Sequence, residues 1–307
     1  MTLSDLKPWL PRFRCPHDRA KLLEREDLSA LQCQTCEKIF PFQDGILRFV
    51  EGQVGEISGS PEKFQEMLAR DQYANEYDRH FSPLVNRIEI PPYLKSIRSP
   101  GSLRSSGSLS IIELGAGTGR ITRRYLSFAE NVVALDFSLE SLRYLKKKLT
   151  LEEQKKCLLV QADMTRLPFA DSSFDKAVTF QVIEHLPGET CRIDSVREAS
   201  RILKPDGEIV CSVYHYSRAK QKAGIRQEGF HDQNGVPIYF YHFKRGDLQN
   251  LLHSSGFELK TMHGLNMHIR GLRFLGQFSV LINRILERSD IGFRYAHLLF
   301  ATARKSP

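Results

Sequence analysis

Ile111-Ile112-Glu113-Leu114-Gly115-Ala116-Gly117-Thr118-Gly119-Arg120 is the stretch on which the fold turns. Two β-branched residues, Glu113 and Leu114 read as a short buried strand. Three glycines at alternate positions then turn the chain sharply, and Thr118 to Phe128 reads as the helix that follows. Glycine is needed where backbone angles are unusual and where a ligand must approach the main chain with no Cβ in the way. A strand, a glycine turn and a helix start together make a ligand-binding edge.

The spacing narrows the ligand. A dinucleotide fingerprint runs G-x-G-x-x-G, but here Gly115, Gly117 and Gly119 are followed by Arg120 and preceded by an acid, Glu113. Downstream, Asn131 to Asp136 is a second strand ending in an acid, 17 residues after Gly119. A carboxylate at such a place accepts hydrogen bonds from both hydroxyls of a ribose. Leu158 to Gln161 is a third strand, followed by Ala162-Asp163-Met164. Leu167-Pro168-Phe169-Ala170-Asp171-Ser172-Ser173-Phe174-Asp175 then feeds the strand Lys176 to Phe180, which ends in Gln181-Val182-Ile183-Glu184-His185-Leu186. Val196 to Leu203 continues a helix, and Lys204-Pro205-Asp206-Gly207 turns into the strand Glu208 to Val213.

This ordered series, over roughly residues 108 to 215, resembles the small-molecule type of class I S-adenosylmethionine (SAM)-dependent methyltransferases. The resemblance implies an α/β, Rossmann-like sheet of seven strands and SAM as cofactor. It implies that Glu113 faces the methionine amine, that Gly115 and Gly117 let the nucleoside lie close, that Asp136 takes the ribose hydroxyls, and that Ala116 and Phe137 are among the cofactor-binding residues. It further implies that Asp163 holds the adenine amino group, that Met164 packs on the ring, and that Gln181 borders the site.

The N-terminal region has a different texture. Cys15-Pro16-His17-Asp18 and Leu31-Gln32-Cys33-Gln34-Thr35-Cys36 flank a charged turn, and Glu37 to Phe42 and Asp44 to Phe49 follow as a small β ribbon. Cys33-x-x-Cys36 is half of a tetrahedral zinc site. In the other half Cys15 is in place and the partner position is Asp18; either Asp18 or His17 completes the set, since zinc accepts carboxylate oxygen and imidazole nitrogen. The stretch resembles the zinc-ribbon domain at the front of certain methyltransferases, including rRNA guanine methyltransferases, and the free-standing ribbons that partner tRNA and protein methyltransferases. Asp44-Gly45-Ile46-Leu47 stands where they carry D-G-I-P, and the fourth cysteine is missing. The alternative is a metal-free remnant held by its own small core.

Taken together, the expected organisation is a zinc-ribbon-like domain at 11–50, a linker and N-terminal helices at 51–107, and a methyltransferase domain at 108–305 with insertions at 214–245 and 264–294. Residues 51–60 read as a Gly/Ser linker and 96–110 as a mobile serine-rich loop. Ser60-Pro61 opens a helix running to about Tyr77 or His80, and Pro91-Pro92 ends the next piece. In related enzymes an aromatic in this helix closes over the methionine end, which singles out Tyr73 and Tyr77; the alternative is that both pack on the core. Tyr239 to Phe243 is an aromatic run. Leu272 to Leu286 has apolar residues at helical spacing, including Leu275, Phe278, Leu281, Ile282 and Ile285. A lid, a membrane-surface contact, a dimer face or simple packing on its own domain all suit it.

Composition sets the outer bounds. A chain of 307 residues holds one large α/β domain with an appendage. The net charge of +8 suits an anionic partner such as RNA or a membrane surface, and equally a basic cytoplasmic enzyme. Lys7, Pro8 and Arg12 interrupt any secretory leader, and no apolar run reaches transmembrane length, so the expected location is cytoplasmic. Six cysteines then mean reduced thiols or metal ligands.

Methyl transfer from a sulfonium needs orientation and often a base. His185, just beyond the fourth core strand, is the candidate base; capping a helix or fixing Glu184 is the alternative. His215, His231, Tyr241 and His242 are weaker candidates. The tetrapeptide N/D-P-P-Y/F of many base amino-group methylators does not follow the fourth strand. The expected reaction is O- or C-methylation of a small, partly apolar metabolite. The alternatives are rRNA or tRNA base methylation and a non-catalytic SAM-binding partner protein.

Overall fold

The computed structural model describes residues 3–25, 27, 29–50, 61–98, 109–129, 131–233, 235–267 and 277–307. The linker read at 51–60, the serine-rich loop over 99–108 and the start of the amphipathic segment, 268–276, lie outside the described residues.

Thirteen strands are described: β1 (Leu22–Arg25), β2 (Ala30–Cys33), β3 (Ile39–Gln43), β4 (Ile46–Arg48), β5 (Ser110–Leu114), β6 (Asn131–Asp136), β7 (Cys157–Gln161), β8 (Phe174–Phe180), β9 (Leu203–Tyr214), β10 (Glu228–Gln233), β11 (Val236–Tyr241), β12 (Phe257–Met267) and β13 (Ala296–Lys305). The expected seven-stranded α/β sheet is there, in the order β7-β6-β5-β8-β9-β13-β12, parallel through β9 and antiparallel at β13 and β12. β5 is central, with β6 and β7 on one side and β8 and β9 on the other. The order therefore reverses between β5 and β8, where open α/β sheets bind their ligands. β5 and β7 are buried along their whole length, because helices cover both faces of a parallel sheet.

The N-terminal ribbon is not a separate body. β4 pairs in parallel with β7, so β1 to β4 extend the same sheet to eleven strands. Side chains reinforce the join. Phe13 stacks on Phe169 at 5.4 Å, and Arg19 donates to Leu167 O at 2.9 Å and to Glu198 Oε1 at 2.8 Å. Distant pairing of this kind leaves no trace in local composition.

Two further readings give way to tertiary structure. The helix after the glycine turn spans only Thr122–Tyr125, because the turn continues through Gly119, whose φ is +81°. Pro91 and Pro92 do not end a helix; they lie inside Pro83–Arg98. Burial of Tyr93 and Ile97, with Tyr93 Oη 3.0 Å from Ser212 Oγ and its ring 4.1 Å from that of Phe180, outweighs the missing amide hydrogen bonds. No described helix is long and apolar enough to cross a membrane.

Candidate cofactor and acceptor site

A cleft of about 850 Å³ opens at the C-terminal ends of β5, β6, β7 and β8. The glycine turn forms its floor. Gly115 and Ala116 both donate to Leu135 O, at 2.8 and 2.9 Å, which ties the turn to β6. A Cβ on Gly115 would stand 2.4 Å from a methyl of Val182, whereas one on Gly117 would meet nothing within 4 Å. Gly115 is thus required by packing, and Gly117 leaves bare main chain facing the cleft.

Asp136, at the end of β6, lines the cleft. Its Oδ2 accepts from Gly117 N at 2.7 Å and its Oδ1 from Ser138 N at 2.9 Å, while the Ser138 hydroxyl caps the Leu139–Lys148 helix. Burial nonetheless pushes its carboxyl up to about 6. Phe137, Asp163, Met164 and Gln181 line the same cleft. Asp163 Oδ2 accepts from Lys63 Nζ at 2.9 Å, and Oδ1 accepts from Thr165 N at 2.8 Å. Gln181 has φ of +59°, a conformation rare for a side-chain-bearing residue. It is held by its amide to Ser212 O at 2.8 Å and by Nε2 to Glu89 Oε2 at 3.1 Å.

Two expected residues are placed elsewhere. Glu113 lies behind the turn and does not line the cleft; its Oε2 accepts from Thr122 Oγ1 at 2.6 Å and Tyr125 Oη at 2.7 Å. Burial pushes its carboxyl up to about 7, so it braces the turn against the following helix. Ala116 is buried and does not line the cleft either.

His185 follows β8 in the short turn Ile183–His185 and lines the cleft. Its Nδ1 lies 2.9 Å from Tyr239 O, a carbonyl that can only accept. Nδ1 therefore carries the proton, and Nε2 keeps a lone pair. Burial holds the ring down to about 4, which leaves it neutral at pH 7. Glu184 points away: its Oε1 accepts from Tyr214 N at 3.2 Å, and burial pushes it up to about 8. Of the weaker candidates, His215, His231, Tyr241 and His242 are not among the cleft's lining.

The Pro61–Tyr73 helix contributes residues that sequence reasoning missed. Lys63, Glu66 and Arg70 sit three and four residues apart, on one helical face, and all line the cleft. Arg70 Nε and Nη2 both donate to Glu66 Oε1, at 2.8 and 2.6 Å. Burial opposes the charge on Arg70, but Glu66 overrides it and the guanidinium is held well above its usual range. Glu66 Oε2 is buried with no partner among the described residues. Beyond the helix, Tyr77 lines the cleft, while Tyr73 packs in the core. In sequence the stripe 63/66/70 looks like an ordinary solvated face, and only its spacing offered a signal.

In the ribbon, ligand atoms of Cys15, Asp18, Cys33 and Cys36 all lie within 4.8 Å of one another. Cys15 Sγ is 3.6 Å from Cys36 Sγ, and Cys33 Sγ is 3.4 Å from both Asp18 oxygens. A tetrahedral zinc with bonds of ~2.3 Å to sulfur and ~2.0 Å to oxygen sets its ligands about 3.5 to 3.8 Å apart, so the donor set fits. The amides of Thr35 and Cys36 donate to Cys33 Sγ at 3.4 Å, the kind of hydrogen bond that orients a metal-binding sulfur. His17 instead stacks on Phe40 at 6.4 Å, so of the two alternatives it is Asp18 that joins the three thiols. A zinc held by four protein donors would be structural. Cys157, Cys191 and Cys211 are free thiols elsewhere in the chain.

Comparison with known proteins covers the same strands. The family described as a methyltransferase domain matches residues 112–211. An uncharacterized protein of Methanocaldococcus jannaschii is 26% identical over 219 residues, covering 64% of this chain and 78% of that one. The demethylmenaquinone methyltransferase of Lactococcus lactis is 32% identical over 153 residues, covering 49% of this chain and 58% of that enzyme. Among solved structures, the 1,6-didemethyltoxoflavin-N1-methyltransferase of Burkholderia thailandensis, with 1,6-didemethyltoxoflavin and S-adenosylhomocysteine bound, superposes with a TM-score of 0.52. That match is at 16% identity over 81% of this chain and 92% of that one, a likeness of fold. The chain carries a class I SAM-dependent methyltransferase domain.

Proposed function

We propose that the protein methylates oxygen or carbon on a small, partly apolar metabolite, with His185 as the proton acceptor. The supporting observation is the pairing of bare backbone at Gly117 with a neutral imidazole whose tautomer Tyr239 O fixes. Bound SAM supplies the activated methyl and leaves as S-adenosylhomocysteine, its sulfur taking the bonding pair. Asp136 grips the ribose hydroxyls, Asp163 the adenine amino group, and Met164 the ring face. Glu66 and Arg70 hold the methionine end: the partnerless Oε2 suits the amine, and the guanidinium suits the carboxylate. Glu66 thus takes the place expected of Glu113. His185 Nε2 accepts the acceptor's proton as the new bond forms, a contribution worth about 10²- to 10⁴-fold in such reactions. Phe180, Val182 and Leu186 make the neighbouring wall apolar, which suits a partly apolar acceptor.

The test is to incubate the protein and methyl-labelled SAM with a metabolite extract and, separately, with total RNA. Label in a small extractable product, lost in His185→Gln with SAM affinity retained, is the expected result. Label in the RNA fraction alone overturns the reading in favour of a base methyltransferase. SAM binding without turnover in either fraction overturns it in favour of a non-catalytic partner protein.

A further inference from the structure

A second cleft, of about 1310 Å³, shares no residue with the first. It lies between the Pro83–Arg98 helix, β12 and β13, and the Gln277–Leu286 helix of the long insertion. Four basic side chains, Lys95, Lys260, Arg284 and Arg288, line it against two carboxylates, Glu208 and Glu287. Glu208 is already satisfied, accepting from Lys176 at 2.8 Å and pairing with Lys260. On its wall His263 is buried, and its Nε2 has no hydrogen-bond partner among the described residues; Glu287 Oε1 stands 4.0 Å off. The exposed guanidiniums of Arg284 and Arg288 are donors suited to an oxyanion in this cleft.

The rim of this cleft is apolar. On the Gln277–Leu286 helix, Phe278, Leu281 and Ile285 are 71, 55 and 67% exposed, at one-turn spacing. Arg284 flanks that ridge on the cleft side, and Arg288 follows at the helix end. We propose that this face docks on an anionic lipid bilayer, with headgroup phosphates entering the basic cleft and the ridge entering the acyl boundary. Charge complementarity and the ridge's placement select the occupant. Aliphatic Leu281 and Ile285 cannot stack on bases, so RNA would leave them wet. A second copy related by a twofold axis would bring the same excess of basic over acidic side chains to the seam. A bilayer with anionic lipids satisfies both halves, apolar and basic, at once.

The test is flotation of the full-length protein with phosphatidylcholine vesicles, pure or containing one third phosphatidylglycerol, at low and high salt. Retention is expected on the anionic vesicles only, weakening with salt. Arg284→Glu with Arg288→Glu should cut it by more than about 25-fold, at about fivefold per basic charge removed. Phe278→Ser with Ile285→Ser should cut it by at least about tenfold. SAM affinity by calorimetry stays unchanged in both variants and reports that they fold. Equal retention on neutral vesicles, or retention that neither variant alters, overturns the proposal. So does a wild-type dimer that the Phe278/Ile285 variant turns monomeric, or RNA retention that the arginine variant abolishes while vesicle binding persists. None of these outcomes bears on methyl transfer, which is read separately.

Discussion

Lowering the pH should weaken SAM binding through one group, Asp136. Burial pushes its carboxyl up to about 6 although Gly117 N and Ser138 N both donate to it. Ribose hydroxyls donate to the ionised carboxylate with charge-assisted bonds, worth about 1.5–3 kcal/mol each against about 0.5–1.5 for neutral ones. Two such bonds favour the ionised form by roughly 2–3 kcal/mol, so binding pulls the carboxyl back down to about 4. Affinity is therefore nearly full at pH 7, about halved at pH 6, and falls steeply below that before levelling off under pH 4. At pH 5 the loss is about tenfold, or about 1.4 kcal/mol, and close to one proton leaves the protein on binding. His185, held to about 4, stays largely neutral down to pH 5. The same shift has the opposite sense for folding. A carboxyl raised in the folded state favours the protein at low pH, and that contribution is lost as pH rises through 6. Calorimetry at pH 7, 6 and 5, in buffers of different ionisation enthalpy, measures affinity and proton release together. A flat affinity between pH 7 and pH 5, or an unchanged slope in Asp136→Asn, would refute the reasoning.

Other outcomes follow from the same geometry. Glu66→Gln should weaken SAM binding by about ten- to a hundredfold and, by removing the counter-charge of buried Arg70, cost about 1–3 kcal/mol of stability. Arg70→Met, which strands a buried carboxylate, should cost about 3–5 kcal/mol of stability by denaturant titration. Gly115→Ala should destabilise by about 2 kcal/mol or more, since its Cβ would stand 2.4 Å from Val182 at a φ of +78°. Gly117→Ala should cost about 1 kcal/mol of stability but at least about tenfold in SAM affinity, because its Cβ would project into the cleft. Elemental analysis should find about one zinc per chain. Cys36→Ser should lose most of it, lower the thermal midpoint by roughly 5–10 °C and weaken SAM binding modestly.

That last coupling rests on how the ribbon meets the cofactor cleft. β4 lies against β7, and β7 runs directly into Asp163 and Met164. Arg14 N donates to Pro168 O and Ala170 N to Arg12 O, so the segment beyond the adenine side is held by the ribbon. A loosened ribbon reaches the adenine wall through main-chain hydrogen bonds, without touching SAM. Sequence spacing could show the half-site at Cys33 and Cys36, and the acid at each strand end, because those signals are local. It could not show that β4 and β7, more than a hundred residues apart, would share a ladder.

The charged stripe of the Pro61–Tyr73 helix shows why the rest of the site stayed hidden. Lys63, Glu66 and Arg70 have the composition of a solvated face, and a lone helix would expose them. In the fold they are drawn inward because each finds a partner at the cleft: Lys63 the Asp163 carboxylate, Arg70 the Glu66 carboxylate. Desolvating such groups costs several kcal/mol apiece, so the arrangement stabilises little by itself. Glu66 Oε2, buried without a partner, adds to that cost. A fold that keeps an unsatisfied carboxylate oxygen at a ligand cleft has left room for a donor, and the methionine ammonium of SAM is a donor of the right charge. Glu113, by contrast, stands behind the turn, where its Oε2 accepts from Thr122 and Tyr125. On the proposed reading, the acid at this end of the cleft is Glu66, from the helix laid over it, rather than Glu113 from the strand beneath.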